Sequence, residues 1–166
     1  MNKISAQAAR LIPYMALSPQ PLLEAAVALF EDVASVGRST IYLKHRRDQR
    51  ATTEHYLEAL ISHLEDVAIG AMEILYALGV GYPTEEFAAE YERAQKKHPG
   101  MTLDSDKHTN ESRFYALAEE VGEVCAALTY DNATQTGHNA NLISEVTQVG
   151  ALAIAWLTRY QDGEER

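Results

Sequence analysis

Helical periodicity runs through this chain with little interruption, and no clear strand or hairpin signal competes with it. A chain patterned this way buries its apolar residues helix against helix, so an all-α helical bundle is expected. Pro21 opens the stretch Leu22 to Val33, apolar on more than one face, and Gly37 is expected to weaken or end that helix. A basic patch, Ile41 to Arg50, follows. Thr52 or Thr53 is placed to cap a helix carrying Leu60, Leu64, Val67, Met72 and Leu75 as far as Leu78. Gly79-Val-Gly-Tyr-Pro83 then breaks the chain. Thr84 with Glu85 and Glu86 reads as a capped helix start, Phe87, Tyr91 and Ala94 as its apolar stripe, and Lys96-Lys-His98 before Pro99-Gly100 as its end. Met101 to Glu111 reads as a polar loop. Helices are expected from Ser112 to Thr129 and from Asn141 to Tyr160, with a polar turn, Asp131 to Asn139, between them and a frayed end from Gln161 to Arg166.

Length and charge narrow the function. The 166 residues suit one domain, or one domain with a helical extension. A net charge of −10 argues against generic nucleic-acid binding, which needs Lys and Arg to neutralise phosphates. The lone Cys125 cannot form an internal disulfide, which suits a reducing compartment, and it reads as a small core residue. The first ten residues lack an apolar signal-peptide core, and the best apolar run, Val149 to Leu157, is far short of the ~20 residues of a membrane span. A soluble cytoplasmic protein without a membrane or nucleic-acid partner is the expectation. The sequon Asn132-Ala-Thr134 reads as a chance match.

The chemistry concentrates near the end. Leu117-Ala-Glu-Glu-Val-Gly-Glu-Val-Cys-Ala-Ala-Leu128 places Glu120 and Glu123 on one side of a helix, with Glu119 also a neighbour of Glu123. Glu145-Val-Thr-Gln148 sets a second polar pair in the last helix. Like charges at this spacing repel, and burial sharpens the cost. A hard divalent cation, which takes oxygen ligands, relieves both. The two helices share a short connection, so they are expected to lie antiparallel and bring the pairs together.

Glu119-Glu120-x-x-Glu123, 21 intervening residues, and Glu145-x-x-Gln148 resemble the MazG-like nucleotide pyrophosphohydrolases of the all-α NTP pyrophosphatase superfamily, in particular phage and actinobacterial members. The resemblance covers about Phe87 to Tyr160 and suggests an N-terminal helical region of unclear role, 1–80, before a MazG-like region, 81–166. It implies a four-helix core, completed by upstream helices or by dimerisation. It implies a homodimer or higher homo-oligomer that hydrolyses a nucleoside triphosphate to the monophosphate and pyrophosphate with Mg²⁺, or Mn²⁺. Glu120, Glu123 and Glu145 match the family's metal-ligand positions. Glu119 matches the first glutamate of the motif, a water-orienting base or a group behind the ligands, so Glu119 and Glu120 are the catalytic candidates. Gln148 stands where the family has an aspartate. An amide carbonyl can coordinate a hard ion but adds no charge, which leaves open an enzyme with altered metal needs or a non-catalytic nucleotide binder.

Among nearby cations, Lys107 and Arg113 are the candidates for binding phosphates, while Lys96 and Lys97 read as partners of a helix dipole. Phe114, Tyr115, Tyr130 and Trp156 are aromatics that could stack on a base but fit a core role better. Asn110 and Asn141 read as caps. His63-Leu-Glu-Asp66-Val-Ala-Ile loosely echoes Glu145-Val-Thr-Gln148-Val-Gly-Ala, as a decayed duplication would. The apolar upstream half and broadly apolar last helix also suit a helical interaction or assembly protein.

Overall fold

The computed structural model describes residues 2–16, 20–45, 50–129 and 141–161, with the backbone alone at 50–52 and 161. The described residues form α1 (Lys3–Leu11), a short 3₁₀ turn (Ile12–Tyr14), α2 (Leu22–His45), α3 (Arg50–Ala77), α4 (Pro83–Lys97), α5 (Asn110–Thr129) and α6 (Leu142–Gln161), with no strand among them. Residues 46–49 of the basic patch, Tyr130, the turn 131–139 with its sequon and the terminal 162–166 lie outside the described residues.

Four helices close a ring. α2 packs on α3, α3 on α6, α6 on α5, and α5 on α2. The upstream helices α2 and α3 thus complete the bundle with α5 and α6 inside one chain. α1 and α4 pack on each other and cover α6, which touches α1, α3, α4 and α5. That central position explains why α6 is apolar around most of its circumference: Val146, Val149, Ala153, Ile154, Trp156 and Leu157 are all buried. A single buried core runs from Ile4 of α1 through Leu64 and Met72 of α3 to Leu117 and Trp156, across the chain break at Gly79–Pro83. Among the described residues, no helix is long and apolar enough to cross a membrane.

Several local expectations change. Gly37 does not end a helix: α2 runs 24 residues straight through it. A Cβ there would come within 2.7 Å of the Phe114 ring, so the glycine lets α5 approach α2. α3 starts at Arg50, which puts Thr52 and Thr53 inside its first turn rather than at its cap. α4 starts at Pro83, not Thr84. Its first amides are met by the Tyr82 carbonyl, which accepts from Glu85 N at 3.0 Å and Glu86 N at 3.3 Å. α5 begins two residues before Ser112, with the Thr109 hydroxyl accepting from Ser112 N at 3.1 Å. α1, capped by the Asn2 side chain, lies upstream of every segment the periodicity marks. Its nine residues are too few to hold a helix alone, so its helicity depends on packing against α4 and α6.

Candidate functional site

The acidic motif lies where α4, α5 and α6 meet. α5 and α6 run antiparallel: Tyr160, near the end of α6, donates to Asn110 Oδ1 at the start of α5 (3.2 Å). The same geometry sets Glu145, near the start of α6, opposite Glu123, near the end of α5. The Asn141 side chain caps α6 by accepting from Ile143 N at 3.1 Å. Helical spacing then places Gln148 one turn after Glu145, and its amide donates to Glu145 Oε2 at 2.7 Å.

Glu120 carries the electrostatic signature of the site. Burial, then the charges of Glu145, Glu119, Glu90 and Glu123, push its carboxyl up to about 7. Burial and Glu123 also raise Glu145, against the lowering effect of the Gln148 hydrogen bond and of Arg93. Glu119 and Glu123 are exposed, and Glu120 and Glu145 are half-buried. The five acidic groups share one field with too little positive charge to neutralise it. Unlike charges held so would attract; these repel, and the repulsion stays strong where protein replaces water.

Two members of the site were not among the sequence candidates for ligation. Glu90 of α4 influences both Glu120 and Glu145. Its side chain is only 16% exposed, against 56% for its partner Arg93. Arg93 grips Glu90 with two hydrogen bonds, Nε to Oε2 at 2.7 Å and Nη2 to Oε1 at 2.6 Å, and Nη2 also reaches Gln148 Oε1 at 3.4 Å. The sequence did hold a signal. Glu90 is three residues after Phe87 and four before Ala94, so it interrupts the apolar stripe of α4 on the side facing the bundle.

Beside these groups is a cleft of about 180 Å³, lined by Glu90, Arg93, Lys97, Glu120 and Gln148 over a floor that includes Leu152 and Ala155. The volume is below the ~300–1,000 Å³ of ordinary ligand pockets, so it can take only part of a nucleotide. Lys97 lines this cleft as well as standing at the end of the α4 dipole. The phosphate-binding candidates sit elsewhere. Arg113 is 1% exposed, and its guanidinium donates to Leu103 O (2.6 Å), Ser105 O (2.7 Å) and Asn110 Oδ1 (3.3 Å). It pins the loop after α4 to the start of α5 and does not face the cleft. Lys107 is exposed in that loop, its ammonium near Gly100. Trp156 is fully buried and donates to Tyr160 OH at 3.1 Å, a core role. Phe114 packs against Gly37, and Tyr115 is exposed. Cys125 is exposed and not a core residue, because it shares the outward face of α5 with Gly122 and Thr129.

The donor set suits a hard divalent cation in kind: carboxylate oxygens and one amide carbonyl, with no soft ligand. Among the described residues, however, no three His, Cys, Asp or Glu side chains converge into a ready cage. The half-buried Glu120 is the member of the set whose charge burial and its acidic neighbours most oppose. Compared with known proteins, the chain matches no protein family, no curated protein and no solved structure.

Proposed function

We propose that the protein hydrolyses a (deoxy)nucleoside triphosphate to the monophosphate and pyrophosphate with bound Mg²⁺ or Mn²⁺, in the manner of the MazG-like pyrophosphohydrolases it resembles. One observation supports this most: the half-buried Glu120, its acidity displaced to about 7 by burial and by Glu145, Glu119, Glu90 and Glu123. Carboxyls perturbed in this way are concentrated at functional sites.

Glu120, Glu123 and Glu145 would hold the cation, with the Gln148 carbonyl as a neutral fourth donor. When bound, the cation supplies Lewis acidity toward the phosphate oxygens and neutralises charge as the leaving group departs. The protein's own contribution is position. Glu119, exposed one residue before Glu120, accepts a proton from the attacking water as its oxygen bonds to phosphorus and the bond between the α and β phosphates breaks. Arg93 and Lys97, at the mouth of the cleft, offer cationic hydrogen bonds to phosphate oxygens.

The direct test is a nucleotide panel with Mg²⁺ or Mn²⁺ and identification of the products. Monophosphate and pyrophosphate are expected from at least one triphosphate; no turnover across the panel defeats the enzyme reading. Glu120→Gln and Glu123→Gln should each remove most turnover. Glu120→Gln should do so without unfolding the chain, because it removes a charge that the fold holds at a cost.

A second reading, a nucleotide binder without turnover, draws on Gln148, whose amide is engaged with Glu145 and Arg93. Metal-dependent nucleotide affinity without product, by calorimetry, would favour it.

A further inference from the structure

We infer that the end of the ring where α2 and α6 finish and α3 and α5 begin binds a free α-amino acid, whose carboxylate and ammonium groups are taken by Lys44 and Glu111 and whose aliphatic side chain lies against Leu43 and Leu57. The site stands apart from the acidic seam. Glu111 precedes Glu120 on α5 by about two and a half turns, and nothing in the inference depends on a metal.

The cavity there is about 260 Å³, and each of the four ring helices lines it: α2 with Thr40 and Lys44, α3 with Leu57, α5 with Asn110 and Glu111, α6 with Tyr160. That is just below the ~300 Å³ at which pockets for drug-sized ligands begin, so it suits one small molecule.

Thr40 is the residue that points to a ligand. It is 4% exposed, and among the described residues its hydroxyl has no hydrogen-bond partner. A threonine within a helix can return its hydroxyl to the carbonyl one turn back, as Thr147 does to Ile143 O at 2.7 Å. Thr40 does not. A buried hydroxyl left so is costly and uncommon, and an oxygen bound in the cavity would accept from it. Asn110 adds a second donor. Its Oδ1 already accepts from Tyr160 OH at 3.2 Å and from Arg113 Nη1 at 3.3 Å. With both lone pairs of that oxygen engaged, the amide NH₂ is what Asn110 has left to offer. Two donors are what a carboxylate needs.

Charge narrows the class further. Lys44 Nζ meets Glu111 Oε1 at 2.7 Å, and both side chains reach solvent, so the pair can open without stranding a buried charge. The Lys44 ammonium holds the Glu111 carboxyl below its ordinary range. An anionic ligand would meet Glu111 and a cationic one Lys44, whereas a zwitterion answers both. Leu43, buried, and Leu57, half-buried, give the cavity an aliphatic wall. An amino acid of valine or leucine size fits these contacts.

The test is calorimetry and thermal unfolding of the full chain with the proteinogenic L-amino acids. At least one aliphatic member is expected to bind and raise the thermal midpoint; if none does, the inference fails. For the tightest of these, the amine without its carboxylate and the acid without its amine should each bind about tenfold more weakly, the worth of a hydrogen bond to a charged group. Equal affinity for either overturns the zwitterion assignment. Lys44→Met should cause a similar loss. Thr40→Val separates a site from mere packing because its two effects oppose. It should weaken binding by about tenfold, yet raise the midpoint of the ligand-free chain, which no longer buries a lone hydroxyl. Unchanged affinity would mean that Thr40 only packs, and a lowered midpoint that its hydroxyl is already bonded within the protein; either result sinks the site. The assay contains no metal or nucleotide, so its outcome is independent of the proposed hydrolysis.

Discussion

Arg113 and Glu120 lie two turns apart on α5, and the fold treats their charges in opposite ways. The Arg113 guanidinium is buried but well met, by the carbonyls of Leu103 and Ser105 and by Asn110. Its removal strips the buried Leu103 carbonyl of this donor and takes one hydrogen bond each from Ser105 O and Asn110 Oδ1. Arg113→Ala should therefore cost about 2–4 kcal/mol of stability in chemical denaturation, and Arg113→Lys should recover little, since an ammonium cannot reproduce the fork. A loss below about 0.5 kcal/mol would mean that the loop is held by other contacts. Asp32 on α2 resembles Glu120. Burial, then Asp66, Glu31 and Glu73, raise its carboxyl from 3.8 to about 6. A carboxyl whose pKa is raised on folding favours the native state while protonated. That advantage is complete below 3.8 and is lost as pH rises through about 6. Asp32→Asn should consequently raise the thermal midpoint at neutral pH and make little difference toward pH 4. A pH-independent difference would point to hydrogen bonding instead of charge.

At the scale of helices, two glycines set how closely neighbours approach. A Cβ on Gly150 would overlap the Phe87 ring, so α4 and α6 meet through a ring seated on bare backbone. Gly122 of α5 has open space around it. Alanine in a helix gains up to about 1 kcal/mol over glycine, while overpacking costs about 1–3 kcal/mol. Gly122→Ala is thus expected to stabilise the chain and Gly150→Ala to destabilise it, both read by thermal or urea unfolding. Equal effects would show that α4 can shift to make room. The helix pairs also share a feature. The α2–α3 seam places Asp32 by Asp66, as the α5–α6 seam places Glu120 by Glu145.

For the molecule as a whole, the proposed cation should act as a staple between α5 and α6. A ligand that binds only the folded form raises its stability by mass action, about 2.7 kcal/mol when present at about a hundred times its dissociation constant. Saturating Mn²⁺ should raise the thermal midpoint by several degrees, the chelated control should not, and Glu120→Gln should abolish the shift. An unchanged midpoint at saturating Mn²⁺ would count against a metal in this seam.

The expected caps of α3 and α4 were not where the helices begin, but most helix positions after α1 were legible in the sequence, because periodicity and prolines act over a few residues. So was the spacing of Glu119, Glu120, Glu123, Glu145 and Gln148, because side chains three or four apart share a helix face wherever that helix goes. Only the tertiary structure decided the rest: that Gly37 is a contact and not a terminus, that Arg113 is spent inside the fold, that Cys125 faces outward, and that Glu90 and Arg93 join the acidic seam from a third helix. Each of these depends on which face of one helix meets which face of another, and that is settled by the burial of apolar surface across the whole chain, with α6 at its centre.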